Sequence, residues 1–275
     1  MPEPVCGPGS RPWMLAAMSS PTPRPTALVT GPTSGIGRSF ARRLASDGHD
    51  LVLVSRDRER LDHLAAELHE SYGVQVEVLV ADLADRAQLA PVEARVADGT
   101  RPVDLLVNNA GFGLRGDFLD HSVEEEQRLL DVHVTAVLRL THAALTAMVP
   151  RGRGAVVNVS SVAGYLPRGP YSAAKTYVTS LSTWADLTYR GRGVRVMALL
   201  AGFTRTEFHD RMRVRTGSTP SWMWLDSDRL VEEALRDLAR GRTLSVPSRR
   251  YRVLATLARY APTGLQARFQ GPRPR

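Results

Sequence analysis

From Thr26 onward the chain alternates two apolar patterns. Short runs of Val, Leu and Ala such as "TALVTG", "HDLVLVSR", "VDLLVNNAG", "GAVVNVSS" and "VRVMALLAG" are too brief for helices and end at Gly, Asn or Ser. They read as buried strands, with "VQVEVLVAD" alternating as another and "LSVPS" as a short last one. Between them apolar residues recur at helical spacing. "GRSFARRLASDG" does so through Phe40 and Leu44, and a charged helix follows through Leu68. Ser122 with Glu125 forms a capping-box signature for a long helix through Ala147, and Tyr171 to Tyr189 reads as a further helix. Strands alternating with helices at roughly 30 residues per unit predict an α/β fold, a parallel sheet with helices on both faces.

The ends differ in composition. Residues 1–25 are rich in Pro, Gly and Ser without periodicity, which predicts a disordered extension or a start set too far upstream, with Met14 and Met18 as rival starts. Residues 26–248 form the predicted domain, and 249–275 a basic tail. In that tail "RRYRVLATLARYAPTGLQARF" can form a basic amphipathic helix; docking on the domain or on a subunit partner is favoured over a membrane surface, which needs more apolar area.

Charge changes this picture little. A net charge of +8 and a pI near 10.3 invite a nucleic-acid reading. The arginines are interleaved with acids, as in "SRDRERLDHLAAELHE", which is the pattern of a solvated helix face; no nucleic-acid partner is expected. The single cysteine, Cys6, excludes an internal disulfide, and a reducing, cytoplasmic setting is expected. No contiguous apolar run approaches the ~18 residues of a membrane span, and "RPWMLAAMSS" is short for a signal peptide. The histidines show no metal-ligand spacing, so no metal is expected.

Candidate chemistry begins at "TGPTSGIG", where Gly31, Gly35 and Gly37 follow the first strand at the mouth of the first helix. Residues without Cβ let a pyrophosphate approach the backbone, and helix N-terminal amides favour the anion. The second strand ends in Ser55-Arg56 rather than in an acid for ribose hydroxyls. A guanidinium suits a 2′-phosphate, so NADP is favoured over NAD. Of the 36 basic Lys and Arg residues one is lysine, Lys175, which stands four positions after Tyr171. An ammonium one helical turn away would favour a phenolate and tune the tyrosine as general acid and base.

Taken in order, "TGPTSGIG", "NNAG" at 108–111, "VNVSS" at 157–161 and "YSAAK" at 171–175 resemble the classical short-chain dehydrogenase/reductase family, from about Thr26 to Pro247. The resemblance implies a Rossmann-type doubly wound sheet of about seven parallel strands and NAD(P)-dependent carbonyl–alcohol interconversion. It places Gly31, Ser34, Gly35, Ile36, Gly37 and Arg56 at the cofactor, Asp82 and Leu83 beside its adenine, and Asn109, Ala110 and Gly111 along its adenosine side. Thr206 would meet the nicotinamide carboxamide, and Lys175 the nicotinamide ribose as well as Tyr171. Ser161 would hold the substrate oxygen, with Ser160 the lesser alternative. Residues of about 205–226 would form a mobile substrate lid, with Met212, Trp222, Met223 and Trp224 either covering a lipophilic substrate or packing on the core. A small carbonyl or alcohol substrate and a homodimer or homotetramer are the expected partners.

Three departures from the family pattern stand out. Ser161 and Tyr171 are 10 positions apart, about three fewer than usual, through "VAGYLPRGP". His133 replaces the family's catalytic Asn, where an imidazole would either relay protons or displace a water. "LLAG" has Ala201 where the family has Pro, which should loosen that turn. The expectation is an NADP(H)-dependent oxidoreductase acting on a lipophilic carbonyl or secondary alcohol. A nucleotide-binding regulatory or scaffold protein with decayed catalysis is the alternative, supported by His133 and the short loop.

Overall fold

β1 (Thr26–Thr30), β2 (Asp50–Ser55) and β3 (Val76–Val80) pair on one side of the molecule, and β4 (Leu105–Asn108), β5 (Gly154–Ser161), β6 (Val194–Ala201) and β7 (Leu244–Ser245) on the other. All six pairings are parallel, in the order β3-β2-β1-β4-β5-β6-β7. The chain reverses its direction of winding between β1 and β4, and in such sheets the crevice outside the carboxyl ends of those strands takes ligands. The computed structural model describes residues 24–204 and 220–260. Expectations for 1–23, for Thr206, Met212 and most of the 205–226 segment, and for the tail after 260 lie outside the described residues.

Helices cover both faces because every central strand is apolar on both sides. Phe40 and Leu44 of α1 (Gly35–Ser46), Leu61, Leu64 and Leu68 of α2 (Arg58–Tyr72) and Leu230 and Val231 of α7 (Ser227–Ala239) pack on Val29, Leu53, Val107 and Leu199. On the other face Leu89, Val92 and Val96 of α3 (Arg86–Ala97) and Leu140, Ala144 and Met148 of α5 (Val137–Arg151) pack on Leu28, Val52, Leu106 and Val156. Each fully buried side chain of this size contributes roughly 1.5–3 kcal/mol.

Some elements depart from the predicted pattern. The helix opened by Ser122 runs as α4 (Val123–Leu130), a π-helical turn over Asp131–Ala136, and α5. This stretch, Val123–Arg151, is long and apolar enough by length and composition to cross a membrane. Contiguity hid that property, since acids and Arg139 interrupt every apolar run. Leu129, Val132, Val137, Leu140, Ala144 and Met148 are buried in the fold, as in a core helix. The periodicity also missed α3, which contains Pro91 and is started by Asp85 accepting from Ala87 N and Gln88 N. β7 is shorter than "LSVPS" because only Leu244 and Ser245 pair with β6.

Two elements complete the site's frame. α6 (Pro170–Tyr189) starts with proline at its first turn and packs along β5 and β6. Its buried Asp186 accepts from Arg195 Nε at 2.8 Å, Thr243 Oγ1 at 2.6 Å and Val196 N at 3.1 Å, so helix and sheet edge are tied at one carboxylate. α8 (Arg249–Tyr260) forms most of the described part of the predicted basic tail helix. It packs against the 3-10 turn Val162–Tyr165 that follows β5.

Candidate active site

The glycine turn closes on itself. Gly31 has φ of +64° and Gly35 of +53°, conformations that side chains rarely adopt. A Cβ at Gly37 would lie 2.1 Å from Gly31 O, so α1 abuts the turn with no room for a methyl group. Ser34 is the N-cap of α1 in extended conformation, and its side chain makes no capping hydrogen bond. The first turn of α1 carries no acid, which leaves the positive end of the helix dipole uncompensated. Ile36 packs against the core beneath. These residues therefore fit a dinucleotide pyrophosphate, which needs close backbone approach and N–H donors.

Asn109 ties the glycine turn to the end of β4: its Nδ2 donates to Thr30 O at 2.9 Å and to Gly31 O at 3.0 Å. Thr30 Oγ1 in turn accepts from Asn109 N and Ala110 N. Below them the register of β4 and β5 sets Asn108 beside Asn158, whose side chains bond at 2.8 Å, and Asn158 Nδ2 donates to Ser182 Oγ at 3.0 Å.

Beyond the carboxyl ends of β2 and β3 the structure brings Arg56, Asp82 and Arg128 together. Arg128 Nη2 makes a short hydrogen bond to Asp82 Oδ2, and Ala84 N donates to Oδ1 at 3.0 Å. Burial opposes ionisation of Asp82, but the Arg128 hydrogen bond, the Ala84 amide and both guanidinium charges outweigh it and hold its pKa low. Arg56 is 65% exposed and only 3.9 Å from the same carboxylate, so its fork is open to a further anion. Leu83 is buried and packs in the core cluster beside Asp82.

Ser161, Tyr171 and Lys175 converge where β5 meets α6. Ser161 Oγ donates to Ala201 O at 3.3 Å and accepts from Ala163 N at 3.1 Å. Burial pushes the Tyr171 phenol up to about 12, against a hydrogen bond with Ser161 that pulls it down. Burial also lowers Lys175 to about 7; its Nζ donates to Val159 O at 2.8 Å and lies 5.6 Å from the Tyr171 ring centre. The expected effect of the ammonium on the phenol is thus outweighed in this structure by desolvation of both groups. Ser160 faces away, donating to Lys175 O at 2.8 Å, which leaves Ser161 as the serine of the site.

His133 stands in the π-helical turn, a local widening often found at functional sites. Its ring meets Tyr171 edge-on with centroids 5.3 Å apart and fills the space a Cβ at Gly111 would occupy, 2.4 Å from Cε1. Nε2 is 2.7 Å from Phe112 O and 3.1 Å from Phe112 N. Nε2 thus has a partner in either tautomer, the carbonyl if it carries the proton and the amide if it does not, while Nδ1 is buried with no hydrogen-bond partner among the described residues. Burial and the Lys175 charge hold the His133 pKa well below its ordinary value.

Residues that the sequence reading did not single out also serve this site. Thr30 and Arg128 are two, and the end of each strand and the spacing on α4 gave no special signal for them. Tyr251 is a third. It is buried, its hydroxyl accepts from Phe203 N at 3.0 Å and donates to Met223 O at 2.7 Å, and its ring covers Gly202. Trp222 is 53% exposed, while Met223 and Trp224 are half-buried, with Trp224 against Phe203 at 5.9 Å. Among the described residues no cluster of His, Cys, Asp or Glu has metal-binding geometry.

The sequence matches the short chain dehydrogenase family over residues 25–216. Serine 3-dehydrogenase from Agrobacterium fabrum (strain C58 / ATCC 33970) is 35% identical over 197 residues, covering 70% of this chain and 76% of that protein. A short-chain dehydrogenase from Sphingobium yanoikuyae solved in complex with NADPH is 37% identical with a TM-score of 0.80, covering 91% of this chain and 98% of that one. The bulky-bulky ketone specific alcohol dehydrogenase from Comamonas testosteroni is 33% identical with a TM-score of 0.75, covering 92% and 98%. The chain belongs to the short-chain dehydrogenase family of oxidoreductases.

Proposed function

We infer that the protein is an NADP(H)-dependent oxidoreductase that interconverts a lipophilic ketone and its secondary alcohol. The observation that carries this reading is the meeting of Ser161, Tyr171 and Lys175 at the carboxyl end of β5. NADPH held by the glycine turn and Arg56 would supply the hydride for the carbonyl carbon. Tyr171 donates its phenolic proton to the carbonyl oxygen as negative charge develops there. Ser161 turns its hydroxyl from Ala201 O to the same oxygen, and the Lys175 ammonium stabilises the phenolate that remains. With its pKa raised by burial, the Tyr171 phenol stays protonated at neutral pH, the state from which the reductive direction starts.

Arg56, with its open guanidinium, would take the 2′-phosphate, while the Gly31–Gly37 turn and the α1 amides would take the pyrophosphate. His133, neutral and with Nδ1 buried and unpartnered among the described residues, would hydrogen-bond through Nδ1 to a water linked to Lys175, the role given to Asn in the family. Phe203, Met223 and Trp224 supply an apolar wall, in keeping with a bulky ketone as the substrate class. Leu138, Trp184 and Leu187 on the outer faces of α5 and α6 are exposed, which supports self-association as a dimer or tetramer. The test is a panel of alkyl and aryl ketones followed by NADPH absorbance, with Tyr171→Phe as control. Turnover lost in that variant supports the reading. Tight NADPH binding without turnover of any carbonyl would favour the non-catalytic alternative.

A further inference from the structure

α8 lies beyond the family match, yet one of its side chains reaches the frame of the site. Tyr251 is 3% exposed on a helix whose other residues Val253, Leu257 and Tyr260 are largely exposed. Its phenol uses both of its hydrogen-bonding functions on backbone that is distant in sequence, accepting from Phe203 N at 3.0 Å and donating to Met223 O at 2.7 Å. Arg250 Nη1 adds a bond to Trp222 O at 2.7 Å. The ring itself lies against Gly202, where a Cβ would be 2.4 Å from Cε1 and Cζ. Leu225 N donates to Phe203 O at 2.7 Å, so the two segments that Tyr251 joins also bond to each other.

Those segments matter for the chemistry. Residue 202 follows Ala201, whose carbonyl accepts the Ser161 hydroxyl. Phe203, Met223 and Trp224 form the apolar wall, and α8 packs on the turn Val162–Tyr165 that Ser161 caps. Ala201 ends β6 in register with Ser161 and lacks the ring that would fix its φ; the tyrosine on α8 holds the residues that follow it.

We propose that Tyr251, seated on Gly202, is a positioning residue that sets substrate specificity, fixing the Phe203–Met223–Trp224 wall and the Ala201 carbonyl relative to Ser161. It acts on ketone size, not on cofactor binding or proton transfer. The inference rests on the reading of the site as a ketone reductase.

Tyr251→Phe keeps the ring and removes only the hydroxyl. The expected result is a KM for a diaryl or branched ketone raised about tenfold relative to that for a small ketone, the scale of one lost hydrogen bond to buried backbone. The dissociation constant for NADPH should change by less than about twofold, since Tyr251 touches no residue of the glycine turn. Hydrogen exchange should show lost protection at the Phe203 amide. An unchanged KM ratio, with Phe203 still protected or with only a lower melting temperature, would overturn the inference and make Tyr251 a packing residue. Gly202→Ala, which displaces the same ring, should shift the KM ratio in the same direction; a shift of the opposite sign would also overturn it. Wild-type protein that binds NADPH but reduces no ketone would refute the underlying function and this inference with it, an outcome distinct from an active enzyme with an unmoved ratio.

Discussion

The two walls of the crevice are held by different means. On the cofactor side every contact closes on the backbone of the glycine turn: Gly37 of α1 abuts the Gly31 carbonyl, and the Asn109 side-chain amide clamps the carbonyls of Thr30 and Gly31. On the substrate side, side chains reach across the fold: Ser161 to Ala201, Tyr171 beside His133, Tyr251 to Phe203 and Met223. A wall made of backbone tolerates no added atom and varies little with its surroundings. A wall made of side chains can be retuned by single substitutions, which is what a family with one cofactor chemistry and many substrates requires.

The sharpest way to break this contrast is Gly37→Ala. With a Cβ at 2.1 Å from Gly31 O the turn must open. The expected outcome is a loss of about 3 kcal/mol of stability in urea titration, with NADPH binding abolished. Next is Lys175→Arg. The amine is buried and bonded to Val159 O, a seat with no room for a guanidinium fork, so kcat should fall about 100-fold. Wild-type kcat/KM for NADPH should decline as pH rises through about 7, where Lys175 loses its charge, and Lys175→Met should remove that decline.

Arg56→Ala is expected to raise KM for NADPH about tenfold while leaving that for NADH unchanged, measured by initial rates with both cofactors. The smallest effect belongs to His133→Asn, which separates packing from charge. Folded His133 has a pKa well below 6.5, so only the unfolded chain takes up the proton as pH falls through 6.5. Wild-type stability should therefore drop below that pH by about 1.4 kcal/mol per unit for this group, and the asparagine variant should show a shallower acid limb in denaturation at pH 5 and 7.

What was legible in the sequence follows the same division. The seven strands and the glycine turn could be read because burial on both faces and positive φ leave local marks, apolar runs and glycines. α3 could not, because Pro91 contradicts a helix locally while Leu89, Val92 and Val96 are buried by the sheet. The Tyr171–Lys175 spacing revealed the pair but not its pKa values, since spacing reports the neighbouring charge and says nothing of desolvation. The NNAG motif marks Asn109 but not the bonds of its side-chain amide to Thr30 O and Gly31 O, which join residues 79 and 78 positions apart. Tyr251 left no trace at all, because its partners Gly202, Phe203 and Met223 become neighbours only after β6 and α8 pack.

The central claim is that Tyr171 delivers the proton in a reduction driven by NADPH. It is tested most directly by single-turnover mixing of the preformed NADPH complex with a bulky ketone, wild type against Tyr171→Phe, with NADPH affinity measured on the same samples. The expected result is NADPH oxidation in the wild type, a rate lower by a factor of about 100 or more in the variant, and affinities within a few-fold of each other. Equal rates in the two proteins would contradict it.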